Sequence, residues 1–164
     1  MAISQFAVER LSLISSRSFA EVVSAIEAAI GHPDMHEFGK QVAAAKNWQE
    51  LENVVTGAIG PSGFMEFARF NLGQIIEKEK GPAAPRIVRF VVGNPLVMKQ
   101  MAELVPDTAS YAPVTILIDQ RADGVHLTYD LMASYLAVYG NLTTLKIARD
   151  LDSKIEALLK GAAG

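Results

Sequence analysis

The stretch Arg86 to Asp130, RIVRFVVGNPLVMKQMAELVPDTASYAPVTILIDQRADGVHLTYD, decides the fold. Val88, Phe90 and Val92 alternate with Ile87, Arg89 and Val91, the period of two that marks a strand. Both sets are largely apolar, which places that strand inside a sheet. Gly93-Asn94-Pro95 then breaks it. Asn94 suits an N-cap and Pro95 the first helical position, where the missing proline amide would have no intrahelical partner. Leu96, Val97, Met101 and Leu104 mark the inward face of that helix, and Pro106 closes it. Tyr111 to Asp119 supplies the next strand. Asp123-Gly124 is a hairpin signal, leading to Val125, Leu127 and Tyr129 on one face and His126, Thr128 and Asp130 on the other.

Working outward, Phe6 to Ile14 alternates as a strand. Ser18 to Glu21 has the spacing of a capping box, and Phe19, Val22, Val23, Ile26 and Ile30 form a helical stripe stopped at Gly31. Pro33 suits the first turn of a second helix carrying Met35, Phe38 and Val42. Asn47 to Glu50 repeats the capping spacing ahead of Trp48, Leu51, Val54, Val55 and Ile59, a third stripe that ends at Gly60-Pro61. Phe64, Glu66, Ala68 and Phe70 alternate with Met65, Phe67 and Arg69 in a second strand. Leu72 to Lys80 reads as a short charged helix or an extended lobe, followed by the turn-rich Gly81 to Pro85. Two helices close the chain: one from about Leu131 to Tyr139, and, after Gly140-Asn141, a long one with Leu145, Ala148, Leu151, Ile155, Leu158 and Leu159 on its stripe. Strands joined by a hairpin, with helices grouped between them, predict the α+β class. The expected architecture is a single domain over residues 1–164, with an antiparallel or mixed sheet of four to five strands covered by helices. A helical insertion at 31–60 follows the first helix.

Composition narrows the function. The chain has 164 residues, half of them hydrophobic, with fifteen lysines and arginines against eighteen acids. That length suffices for one buried core. The basic residues are scattered, without the electrostatic footprint of a phosphate backbone, so nucleic acid is not an expected partner. The absence of cysteine excludes disulfides, iron-sulfur clusters, thiolate zinc sites and cysteine nucleophiles. No apolar run approaches the roughly 18 residues of a membrane span, and the start lacks a signal-peptide pattern, so the reading is cytoplasmic with no membrane partner.

Three motifs occur in order: Val92-Gly93-Asn94-Pro95 before a helix, Ala112-Pro113-Val114-Thr115-Ile116-Leu117-Ile118, and Asp123-Gly124-Val125-His126-Leu127-Thr128-Tyr129-Asp130. Together they resemble family 302 of domains of unknown function, over about residues 62 to 160. The resemblance implies a small α+β fold of the TATA-binding-protein-like class, a sheet backed by helices, and pairing as homodimers. It implies no established reaction. Gly31 to Gly60 departs from the pattern by two extra helices.

The candidate chemistry is thin. His32 and His36 have the i, i+4 spacing that puts two imidazoles on one helix face, and His126 could complete a divalent metal or haem set from the sheet. Competing roles are capping for His32 and a carboxylate-paired strand position for His126. Glu66, Asp119 and Asp130 are carboxylates within apolar strands, where burial can raise a pKa for acid-base work; pairing with arginine is the alternative. Ser15, Ser16 and Ser18 sit where capping explains them, and no Gly-x-Ser-x-Gly elbow exists. Gly93-Asn94-Pro95 could present amides to an anion, and Met98, Met101 and Met132 could line an apolar pocket or fill the core. The expected ligand-contacting residues are Asn94, His126, Tyr129, Asp130 and Glu66. Two function classes follow: a non-enzymatic, homodimeric module for a small molecule, or a metal- or haem-binding enzyme or redox-linked protein using His32, His36 or His126.

Overall fold

Five antiparallel strands hydrogen-bond into one sheet in the order β1-β5-β4-β3-β2. They span Arg10–Ser15 (β1), Met65–Asn71 (β2), Ile87–Gly93 (β3), Val114–Arg121 (β4) and Gly124–Asp130 (β5). The structure is a computed structural model that describes residue 3 and residues 5–164. Its helices are α1 (Phe19–Ala29), α2 (Met35–Ala44), α3 (Trp48–Ala58), α4 (Gly73–Lys80), α5 (Pro95–Ala102), α6 (Met132–Leu136) and α7 (Leu142–Ala163). This is the α+β fold that the order of segments predicts.

One sheet face makes the core. Val88, Phe90 and Val92 of β3, Val114, Ile116 and Ile118 of β4 and Val125, Leu127 and Tyr129 of β5 are buried against Val22 and Ile26 of α1 and Ala148, Leu151, Ile155 and Leu159 of α7. Fully burying a side chain of this size contributes about 1.5–3 kcal/mol, so this layer supplies most of the drive to fold. Phe38 of α2, Val55 of α3 and Met65 form a smaller cluster beside the β2 edge. Local signals place the helices. Ser18 and Glu21 close a full capping box on α1, Asn47 caps α3, and Asn94 caps α5 with Pro95 at its start. The β4–β5 hairpin pairs Arg121 with Gly124, and Gly124 takes φ 141°, a left-handed value that suits glycine.

Several local expectations give way to tertiary contacts. The alternating run from Phe6 does not pair until Arg10. Phe6 instead lays its ring edge-on against Tyr111 and Tyr135, and the Glu9 carbonyl accepts from Leu131 N at 2.9 Å. Pro33 precedes α2, because the Asp34 carboxylate accepts from the amides of His36 and Glu37 and so takes the cap. The alternation of β2 is interrupted by a register shift between Glu66 and Ala68, a bulge that places Phe67 out of phase. Residues 72–80 resolve as helix α4 rather than an extended lobe, and the helix expected over 131–139 is α6 followed by a tight 3-10 turn over Ala137–Tyr139.

Two contacts lock α7 to the rest. Ser15 Oγ at the end of β1 donates to the Ala163 carbonyl at 2.6 Å. Deeper in, the buried Asp152 of α7 accepts from Tyr129 Oη at 2.6 Å, Met132 N at 2.8 Å and Ala133 N at 2.9 Å. A side chain of α7 thus satisfies the first amides of α6, which has no cap of its own. Burial and the adjacent carboxylate push the Tyr129 phenol far up, so it remains a donor. Burial also outweighs the hydrogen bonds at Asp152 and holds its carboxyl above the ordinary aspartate range.

Asp152→Ala should lower the unfolding free energy by about 3 kcal/mol, because it orphans a hydroxyl and two amides, whereas Tyr129→Phe should cost about 1 kcal/mol. Urea denaturation checks both. A raised folded-state pKa means that the native protein binds this proton more tightly than the unfolded chain does. The contribution of Asp152 is therefore complete below the unfolded value of about 3.9 and is lost as pH rises through the folded value. Asp152→Asn should remove that decline from the pH profile of stability.

Candidate functional site

The helical layer leaves the other sheet face open, and the register puts its side chains in rows. Leu117 pairs with Arg89 of β3 on one side and with Thr128 of β5 on the other, and Thr128 pairs with Ser12 of β1. In the neighbouring row Arg10 pairs with Asp130, and Thr115 pairs with Val91. At one end of this face the chain rises around the rows. Tyr111 and Pro113 come from the segment before β4, Tyr135 from α6, and Leu72 from the start of α4. The result is a cleft of about 520 Å³ whose floor carries Arg89, Thr115, Leu117 and Thr128, with Arg10 and Asp130 at its side.

Its wall is aromatic. Tyr111 and Tyr135 stack with ring centroids 4.8 Å apart and planes 20° from parallel, and the Tyr111 and Tyr139 hydroxyls lie 3.2 Å apart. Arg10 donates to both oxygens of Asp130, at 2.6 and 2.9 Å, and Tyr135 Oη donates to Asp130 at 3.4 Å. The guanidinium holds the Asp130 carboxyl below the usual carboxylate range, while burial and that same carboxylate push the Tyr135 phenol up. Two polar atoms have no such partners: Arg89 Nε and Thr128 Oγ1 are buried without a hydrogen bond. The Arg89 guanidinium lies over the Phe70 ring, 4.6 Å from its centroid.

A second, smaller cleft of about 120 Å³ surrounds Gly93-Asn94-Pro95, with Phe67, Met98, Met101 and Leu151 in its lining. It is below the roughly 300–1,000 Å³ of typical ligand sites. The Asn94 amide is committed to structure: Oδ1 accepts from Leu96 N at 2.9 Å and Nδ2 donates to the Gly63 carbonyl at 3.0 Å. A Cβ at Gly93 would stand 3.1 Å from Pro113 Cβ and 3.3 Å from the Phe67 ring. What approaches this glycine is the chain's own packing.

Of the residues singled out from sequence, Tyr129 and Asp130 line the large cleft and Asn94 the small one. The Tyr129 hydroxyl is turned into the core, toward Asp152. His126 shares the open face but lies beside the hairpin, its Nε2 2.8 Å from Asp123 Oδ1. Glu66 belongs to an ion-pair group at the β2 edge, accepting from Arg69 at 2.7 Å and lying 3.2 Å from His32 Nδ1; Arg69 also binds Glu27. Asp119 pairs with Arg121 at 2.5 Å. The histidines do not converge. His32 Nε2 meets the Glu27 carbonyl at 2.8 Å, His36 is exposed on α2, and His126 stands on β5, three strands from β2 and so about 14 Å away across the sheet. Among the described residues no group of three or more histidines and acids is arranged to hold a metal ion. Sequence reading missed Arg10, Arg89, Thr128, Tyr111 and Tyr135. The one available signal was Arg89, a charge inside the apolar run Ile87–Val92.

A family model described as "Domain of unknown function DUF302" matches residues 38–162, which takes in most of α2 and all of α3 as well as the segment carrying the three motifs. The fold is similar to the crystal structure of an uncharacterized conserved protein DUF302 from Bacillus stearothermophilus, with a TM-score of 0.65 and 11% identity over 93% of this chain and 97% of that one. At that identity the likeness concerns the fold alone. No curated protein matches. Among the described residues no helix is long and apolar enough to cross a membrane.

The Arg10–Asp130 pair gives a direct check on the cleft's electrostatics. Arg10→Ala should raise the Asp130 carboxyl pKa back toward the ordinary value of about 3.9, read by carbon-detected NMR titration. The loss of stability should stay under about 1 kcal/mol, because Arg10 is largely exposed.

Proposed function

This chain belongs to the DUF302 family, and from that premise we propose that it is a non-enzymatic small-ligand-binding module whose site is the cleft on the open sheet face. The observation that carries this reading is the cleft itself. It has about 520 Å³ of space over a floor from three strands, an aromatic wall, and two buried polar atoms without partners. Concave sites of this size, mostly apolar with a few fixed polar groups, are the usual form of a small-molecule site. Binding rather than turnover fits the cleft, because its carboxylate is already neutralised by Arg10. Pairing of two copies belongs to the same reading. It is supported by the place of β1 at the edge of the sheet, with no further strand beside it among the described residues, and by Ile14, 57% exposed on the open face.

A metabolite panel followed by amide chemical shifts tests the site. Compounds that bind should move Thr115, Leu117, Thr128 and Asp130 together. Leu117→Trp, which fills the floor, should weaken them by about tenfold, or 1.4 kcal/mol, without loss of folding. Binding that is indifferent to Leu117→Trp, or a panel with no binder, would overturn the assignment. Native mass decides the pairing: twice 17.7 kDa is expected, and a mass of 17.7 kDa would end that part of the reading.

A further inference from the structure

We infer that the cleft recognises a small aromatic carboxylate, with its acid group held by Arg89 and Thr128 and its ring against the Tyr111–Tyr135 wall. This rests on the reading of that cleft as a small-ligand site and names the class of molecule it takes.

The register brings the polar groups together. Arg89 and Thr128 flank Leu117 in one row, so both side chains project from the same face of the sheet into the same cleft. Their backbones are two strand spacings apart, about 9.6 Å. Arg89 Nε and Thr128 Oγ1 are both buried and both lack a partner. A buried donor without an acceptor is unfavourable, and both of these atoms belong to residues that line the cleft. Phe70 fixes the guanidinium by lying 4.6 Å from it, which leaves the planar fork positioned before a ligand arrives.

Charge favours a monoanion over a dianion. Two arginines and one aspartate line the cleft, and Arg10 is closed on Asp130 through both of its oxygens. Among the described residues Arg89 forms no ion pair, so one positive charge is free in the cleft. A carboxylate matches that single charge and the bidentate geometry of arginine. A phosphate dianion would bring a second negative charge close to Asp130. The ring follows from the wall. Tyr111 and Tyr135 form a stacked pair bordering the cleft, and aromatic surfaces attract further planar groups in stacked or edge-on contact.

The test uses the 164-residue chain with three probes matched in their ring: 2-naphthoate, neutral 2-naphthamide and 2-naphthyl phosphate, each titrated by NMR and calorimetry. The expected result is that 2-naphthoate shifts the amides of Leu117 and Thr128 and binds at least about tenfold more tightly than 2-naphthamide. Arg89→Gln should remove that preference, Arg89→Lys should restore part of it, and Thr128→Val should weaken 2-naphthoate by about threefold. The comparison of probes on the unaltered protein stands even if an Arg89 variant fails to fold. Equal binding of 2-naphthoate and 2-naphthamide in the cleft would overturn acid recognition while leaving the cleft as a ligand site. Tighter binding of 2-naphthyl phosphate would overturn the carboxylate. If no probe shifts the cleft amides, the inference falls, and the Leu117→Trp panel decides separately whether the cleft binds anything.

Discussion

A five-stranded antiparallel sheet has two faces, and here the two longest sheet-packing helices lie on the same one. α1 and α7 contact each other and share the inner face with buried side chains of β3, β4 and β5. Every other feature of the fold answers to that asymmetry. Alternation along β3, β4 and β5 is strict on the inner side, where Phe90, Ile116, Ile118 and Leu127 are inaccessible to solvent. On the outer side the same strands tolerate Arg89, Thr115, Thr128 and Asp130, because nothing there must be packed to the density of a core. This outer face forms a cleft where residues 110–113, α6 and the start of α4 border it.

The wall of that concavity depends on the core beneath it. α6 is five residues long, too short to be stable by itself, and its N-terminus has no local cap. Its first amides are satisfied by Asp152 from α7, which also takes the Tyr129 hydroxyl. Tyr135, three residues further on, stacks on Tyr111 and reaches Asp130. A chain of contacts therefore runs from the interior of α7, through the first turn of α6, to the aromatic wall outside. Tyr129 and Asp130 are adjacent in β5 and point to opposite faces, so one strand end anchors both the buried link and the exposed ion pair.

The parts of this structure legible in the sequence were those carried by local chemistry. Asn94 with Pro95, Ser18 with Glu21, and Asp123-Gly124 each act within four residues, and each does in the structure what its spacing implies. The cleft was illegible for the opposite reason. Arg10 and Asp130 are 120 positions apart, and Arg89 joins Thr128 only through the register of two strand pairings. Periodicity assigns residues to faces but not strands to neighbours. Misplacements had the same origin. Phe6 alternates with the strand that follows, yet its ring finds Tyr111 and Tyr135. His32 has metal-ligand spacing with His36, yet its ring nitrogens meet Glu66 and the Glu27 carbonyl.

A general base working near neutrality needs a carboxyl whose pKa is raised toward the working pH, within reach of the reacting group. On the open face the shift runs the other way, because Arg10 lowers Asp130. Among the described residues the carboxyl that burial does raise is Asp152, which is turned inward and spent on the α6 amides. The chain has thus placed its perturbed acid in a structural role, while its cleft presents a guanidinium, a hydroxyl and two stacked rings. Beside these groups the Asp130 carboxylate is held in its ionised form by Arg10.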